Sequence, residues 1–293
     1  MIVCGFGEVA PGDMAERFEF TLGSVEAGVV GQALGVDIRR FPLRIRNITV
    51  DPARFAKVAI QVYQRMENVR LSIGGELHPS VRTAFELLGE HRVSVTINGV
   101  DGLGGDIAVL TVTDGRQALE VAQAPGEDLL QFALFPDEDL VEVLASVLPR
   151  ARPASTGKHT VEQRAQERVS AMTARRRAEV EADEEETDAF GNIELMGVVR
   201  ARQSVAQRDR SDVGVLEQVL AAKRLGGGYI IANGHGRRGG LVTTPPLTWL
   251  DTEDGRYLIH TETRDGGSTA AHYVPAGHAD VAKAIRQIIA SVY

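Results

Sequence analysis

Two stretches of this chain run through one order of elements, and that repetition limits the fold more than any other feature. In the later stretch, Tyr229-Ile230-Ile231-Ala232 reads as a strand after the glycine triplet Gly226-Gly227-Gly228. Asn233 to Gly240 reads as a loop, and Leu241 to Leu250 as the returning strand, bent at Pro245-Pro246. Asp254-Gly255 is a turn signal, Arg256 to Glu262 alternates as a third strand, and Asp265-Gly266-Gly267 turns into a fourth, Thr269 to Val274. Pro275 ends the run, and Val281, Ile285, Ile288, Ile289 and Val292 fall on one helix face. The earlier stretch lies about 140 residues upstream. There Val93, Val95 and Ile97, then Asp106 to Thr113, Arg116 to Gln123 and Leu129 to Phe135 read as four strands, with Leu140, Leu144, Val147 and Leu148 as the closing helix. The helices ahead of the strands correspond as well: Val81, Ala84, Phe85 and Leu88 match Val213, Leu216, Val219 and Leu220. The expected fold class is α+β, with two pseudo-repeated halves, each an antiparallel four-stranded meander with flanking helices.

The domain boundaries follow. Residues 1–16 read as a poorly ordered leader, in which Met14 offers a second translation start. Residues 17–150 form an N-terminal α+β half, 151–211 a linker and charged helical segment, and 212–293 a C-terminal α+β half. Arg17 to Leu22 and Leu43 to Ile48 are expected to add strands. Asp51-Pro52 is an N-cap followed by proline at the first helical position, with Phe55, Val58, Ala59, Val62 and Met66 as the apolar face. Arg152 to Gly157 is linker-like, and from Val161 an amphipathic helix is expected through Ala165, Val169 and Met172. Its charge is segregated, with Arg175-Arg176-Arg177 ahead of Glu181 to Asp188.

Composition narrows the function classes. The formal charge of −8 argues against a nucleic-acid binder, which needs clustered positive charge. Residues 1–150 carry 13 Lys+Arg against 21 Asp+Glu, whereas residues 151–293 carry 19 of each, so the excess lies in the first half. Only four of the 32 basic residues are lysines, a bias associated with high-GC bacterial genomes. No apolar run reaches the length that spans a bilayer, and the N-terminus shows no secretory pattern. The single cysteine, Cys4, forms no internal disulfide and fits a reducing cytosol.

Catalytic signals do not assemble. Gly5-Phe6-Gly7-Glu8-Val9-Ala10 matches a dinucleotide fingerprint, but Pro11-Gly12 breaks the helix such a motif requires, so no cofactor is expected. No two of the seven histidines stand at i, i+4 beside a glutamate; His260 and His272 can face each other on neighbouring strands, as sheet-surface residues rather than metal ligands. Gly267-Ser268-Thr269 lacks the nucleophile elbow, and the glycine-rich runs lack the lysine of a phosphate loop. The Asn233 to Gly240 loop is the candidate binding site. It places Asn233, His235, Arg237 and Arg238 at a hairpin tip, where glycines allow close backbone approach and arginines fork onto carboxylates or carbonyls.

The same C-terminal residues resemble a family, the ESX secretion-associated EspG proteins of type VII secretion. The resemblance rests on Gly227-Gly228-Tyr229, on Gly236-Arg237-Arg238-Gly239, and above all on Pro246-Leu247-Thr248-Trp249-Leu250-Asp251-Thr252-Glu253-Asp254-Gly255-Arg256-Tyr257-Leu258. Leu77-His78-Pro79 and Leu148-Pro149 add to it in the first half. It implies a cytoplasmic, non-enzymatic chaperone that grips the tip of the PPE subunit of a PE/PPE heterodimer and targets the pair for export, and it leaves room for a homodimer when free. An enzyme or small-ligand protein with a pocket between the halves stands as the alternative, and a self-assembling structural protein as a third reading.

Overall fold

The computed structural model describes residues 17–46, 51–124, 126–163, 223–236, 239–263 and 269–293. Along these run β1 (Phe18–Gly23), α1 (Ser24–Leu34), α2 (Pro52–Asn68), β2 (Ser72–Ile73), β3 (Glu76–Leu77), α3 (Pro79–Gly89), β4 (Val93–Val100), β5 (Asp106–Thr113), β6 (Gln117–Gln123), β7 (Leu129–Pro136), α4 (Leu140–Val147), β8 (His159–Gln163), β9 (Arg224–His235), β10 (Leu241–Thr243), β11 (Leu247–Thr252), β12 (Gly255–Thr263), β13 (Thr269–Pro275) and α5 (His278–Val292). Except for the small β2–β3 hairpin, the strands form one sheet in the order β1-β7-β6-β5-β4-β9-β11-β12-β13-β8, with β10 extending the β11 edge of β9. Strands β4 to β7 therefore lie side by side in chain order, as do β9, β11, β12 and β13. The seam between the two groups is the antiparallel β4–β9 ladder, from Val93 opposite Gly234 to Val100 opposite Gly227.

Alternation assigns each side chain to a face. On one face, Leu110 and Val112 of β5, Leu119 and Val121 of β6, and Leu130, Phe132 and Leu134 of β7 pack beneath α1, α2 and α3. This is the α3 face. On the opposite, α5 face, Val93, Val95 and Ile97 of β4, Ile230 and Ala232 of β9, and Leu247 and Trp249 of β11 meet α4 and α5. Helix α5 buries Val281, Ile285, Ile289 and Val292 there, each contributing at most about 1.5–3 kcal/mol. Helix α2 begins as its sequence dictates: Pro52 opens it and Asp51 accepts a 3.0 Å hydrogen bond from the Ala53 amide.

Three sequence expectations need correction. Residues 43–46 form no strand; the Gln123 side chain takes the place of a ladder, accepting from the Arg44 amide at 2.6 Å and donating to its carbonyl at 3.1 Å. The helix expected from Val161 does not begin there, because His159–Gln163 pairs with β13 as the outermost strand. Arg152 to Gly157, linker-like in composition, is docked: Arg256 donates its amide to Arg152 O at 2.8 Å, and its carbonyl accepts from Ala154 at 3.1 Å. The remainder of the charged segment and the helix expected at 213–220 lie outside the described residues, as does the leader.

Near the N-terminal sheet edge one buried carboxylate has an expected cost. Glu120 of β6 lies on the α5 face one strand away from Glu19, with Ala133 between them in register. Its Oε2 is buried and accepts no hydrogen bond among the described residues. Burial pushes the carboxyl up from 4.5 to about 7, with Glu19 adding to the rise and Arg17 opposing it. A folded-state value above the unfolded one stabilises fully below about 4.5 and is lost as pH climbs through 7. Glu120→Gln should therefore raise stability at pH 8.5 by about 2 kcal/mol and leave it unchanged at pH 4. Urea unfolding at the two pH values tests this, and an equal effect at both would contradict the assignment.

Candidate functional site

The β9–β10 hairpin extends the sheet at the end where β9 finishes, with Thr243 opposite Asn233 and Leu241 opposite His235. Its base is fixed. Thr243 Oγ1 donates to Asn233 Oδ1 at 2.7 Å, the Ala232 amide donates to Thr244 Oγ1 at 3.0 Å, and the Thr244 amide returns a bond to Ala232 O at 2.9 Å. Gly234 lies directly under the end of α5, where a Cβ would stand 2.5 Å from Val292 O. Beyond that point the side chains turn outward. His235 is exposed, and Leu241 and Val242 stand out as exposed apolar residues beside it. Arg237 and Arg238 lie outside the described residues. Sequence reasoning names the polar half of this hairpin; Leu241 and Val242, which it reads as strand residues, add an exposed apolar half. His91, one strand inward, is held below the ordinary histidine range by burial, reinforced by Arg40 and, less strongly, by His235.

A second feature lies at the seam. On the α3 face, beyond the shelter of α1 to α3, an open cleft of about 1050 Å³ runs across β4, β9, β11, β12 and β13. Its floor carries Asn98, Tyr229, Ile231, Thr248, Ile259 and Tyr273, with Asn98 Nδ2 donating to Tyr229 Oη at 3.4 Å. One wall is the 42–46 segment, whose arginines face carboxylates: Arg44 to Asp106 at 3.6 Å and Arg46 to Asp128 at 3.3 Å. At the rim, Asp101 Oδ1 accepts from the Leu103 and Gly105 amides at 2.8 and 2.7 Å, and the resulting tight turn presents Leu103 at 97% exposure. This cleft sits where the alternative reading looked for a pocket. Its lining among the described residues holds neither histidine nor cysteine, and its floor offers two tyrosines, a threonine and an asparagine beside Ile231 and Ile259.

The motif that carried the resemblance is internal. Trp249 is buried against the backbone of two glycines, so that a Cβ on Gly228 or Gly99 would stand 2.4 or 2.7 Å from its Cη2. Arg256, 2% exposed, forks onto Asp251 with Nε to Oδ1 at 2.6 Å and Nη2 to Oδ2 at 2.7 Å, and Nη2 also reaches Pro149 O at 2.6 Å. Thr252 Oγ1 closes the turn on Gly255 O at 3.0 Å, and Gly255 holds φ at 131°, open to glycine alone among ordinary residues. Asp254 accepts from Ser155 and Thr156, which hold its carboxyl well below the usual range and tie the 152–157 segment to the turn. These residues build the scaffold rather than a surface.

The histidines are dispersed. His260 and His272 are cross-strand partners, and burial holds His260 low, with His272 adding to the effect. His78 caps α3, its Nδ1 accepting from Ser80 at 3.2 Å, and His278 joins α5 to Glu142 of α4 at 2.7 Å. No group of three His, Cys, Asp or Glu side chains among the described residues is placed to hold a metal. Nor is any described helix long and apolar enough to cross a membrane.

A family model described as the EspG family matches residues 24–287. The fold is also similar to one in the structure of the Mycobacterium tuberculosis type VII secretion system chaperone EspG5 in complex with a PE25–PPE41 dimer, with a TM-score of 0.59 at 12% sequence identity. That similarity covers 94% of this chain and 97% of the other. No curated protein matches the sequence.

Proposed function

The chain belongs to the EspG family, and on that premise we propose that it is a cytoplasmic chaperone of type VII secretion that binds a PE/PPE heterodimer through the PPE tip, keeps it soluble and targets it for export. The observation that carries this reading is the similarity, along nearly its whole length, to a fold solved with a PE/PPE dimer. A chaperone of this kind must cover an apolar patch that would otherwise self-associate, which requires shape, an apolar contact and a polar rim but no catalytic group. The β9–β10 hairpin supplies that combination in small compass: Leu241 and Val242 give apolar contact, Asn233 and His235 give hydrogen bonds, and Arg237 and Arg238 give forked donors for carbonyls and carboxylates at the client tip. In the same reading, the two meanders are copies of one unit, residues 17–150 and 212–293, joined by 151–211.

Co-expression with the PE/PPE pairs encoded near its gene, followed by affinity capture and size-exclusion chromatography, should give a complex of all three chains at one copy each. Failure with every soluble pair, while the protein alone runs as a folded species, would overturn the reading. Within a complex, Arg237→Ala with Arg238→Ala should weaken client binding by about tenfold or more, as expected when charge-assisted hydrogen bonds are lost. The melting temperature should stay within a degree or so, since exposed substitutions are close to neutral. Unaltered affinity would remove the hairpin from the interface.

A further inference from the structure

The β9–β10 hairpin leaves one row of backbone groups without a partner, and its ladder shows which. Thr244 donates its amide to Ala232 O at 2.9 Å, and nearer the tip Gly236 donates to Gly240 O at 3.0 Å. In an antiparallel pair such bonded positions recur at every second residue. Val242, opposite Gly234, is therefore the residue of β10 whose N–H and C=O turn towards β9. Leu241 and Thr243, opposite His235 and Asn233, hold the alternate positions and point their N–H and C=O the other way. No strand among the described residues pairs with that side. β10 joins β9 alone, whereas β11, which continues beside β9, is closed by β12.

An open edge is normally blunted by charge, by a bulge or by cover. The three residues of β10 are all exposed and uncharged, and Leu241 and Val242 stand on opposite faces of the sheet. The Thr243 hydroxyl is already spent on Asn233, so its amide is the group left to bond. The edge is also short, because Pro245 and Pro246 follow and proline has no N–H to offer. Pairing β10 with β10 of a second copy would match only three residues a side, far short of the roughly 800 Å² per partner of a stable interface. A client already held by the hairpin needs only the few added bonds. We propose that β10 takes up a short extended segment of the client, which adds as a further strand along the Leu241 and Thr243 main chain and sets apolar side chains beside Leu241 and Val242. This rests on the reading of the hairpin as the client site, and adds to it the form of the bound segment, extended backbone rather than helix.

Amide hydrogen exchange on the full chain, alone and with the co-expressed PE/PPE pair, tests the proposal residue by residue. In the free protein the Leu241 and Thr243 amides should exchange about tenfold or more faster than that of Val242, and in the complex all three should be slow. Leu241→Pro takes away an outward N–H and leaves the ladder to β9 whole, a change that edge strands tolerate. It should weaken client binding about fivefold or more beyond Leu241→Ala, which controls for the side chain. Should Leu241→Pro fail to fold, exchange in the wild-type complex decides. A complex whose Leu241 and Thr243 amides exchange as fast as in the free protein would overturn the proposal and leave the chaperone reading standing. Equal affinities of folded Leu241→Pro and Leu241→Ala would do the same. Slow exchange that sets in with rising protein concentration and no client would assign the edge to a second copy, and the proposal would fall. Failure to form any complex would remove the chaperone reading and this proposal with it.

Discussion

Arg256→Ala should cost about 3–5 kcal/mol, because it strands the Asp251 carboxylate in a site from which water is excluded. The guanidinium makes two hydrogen bonds to Asp251 and one to Pro149 O, and both partners of the ion pair are almost wholly buried. Its backbone takes part as well, bonding Arg152, Ala154 and Ala276. Breaking the pair therefore removes a charge partner and loosens the 149–154 segment against β12 in one step. Against a total stability of about 5–15 kcal/mol, that loss should be plain as a lowered urea midpoint. Arg256→Lys keeps the charge but not the planar fork, and should fall between wild type and alanine. The decisive variant is Asp251→Leu with Arg256→Met, which removes both charges at similar volume. It should lie much closer to wild type than Arg256→Ala, since a matched apolar pair leaves nothing unpaired. A double variant as damaged as the single would show that the cost comes from lost packing rather than from an orphaned carboxylate.

The sequence was most readable where local chemistry and final environment agree. Asp114-Gly115 and Asp254-Gly255 are turns because their glycines take positive φ, 91° and 131°, and that requirement is visible without a structure. The α5 stripe was readable because one face is buried and the other wet. Helix α1 was missed for the opposite reason. Ser24, Ala27, Gly28, Val29, Val30 and Gly31 are buried all round it, so no amphipathic period exists to detect, and its glycines lower helix propensity. A Cβ on Gly31 would stand 2.8 Å from Val36 O, a tertiary constraint with no local signature. β8 was misread because Val161 fits a helical series with Ala165 and Val169 as well as it fits a strand; pairing with β13 decides the matter. The β9–β10 hairpin is legible through its turn chemistry, whereas the cleft was invisible, since its floor draws residues from five strands that only the register brings together.

Gly228→Ala should be the most damaging glycine-to-alanine change among the described residues. The residue sits mid-strand in β9, opposite Gly99 across the seam and opposite Trp249 on the other side. An ideal Cβ there would stand 2.3 Å from Asn98 O, 2.4 Å from Trp249 Cη2 and 2.6 Å from Gly99 Cα. The first and third are backbone atoms and cannot swing away, so the β4–β9 ladder must part. That ladder is the sole strand pairing between the two meanders among the described residues, so strain there bears on how both halves hold together. The expected cost is about 3 kcal/mol or more, at or beyond the upper end for overpacking. Gly157→Ala, with nothing within 4 Å of its added Cβ, should stay within about 0.5 kcal/mol and serves as the control. Trp249→Ala alone should cost about 3–5 kcal/mol through the cavity it leaves. Combined with Gly228→Ala it should cost less than the sum, because the ring no longer collides, yet it should not return to the level of Trp249→Ala alone, because Asn98 O still does. Strict additivity would mean that the ring and the glycine do not touch. A neutral Gly228→Ala would mean that the seam is looser than its register implies, and the glycine triplet would revert to a lead-in for the strand rather than the floor beneath its tryptophan.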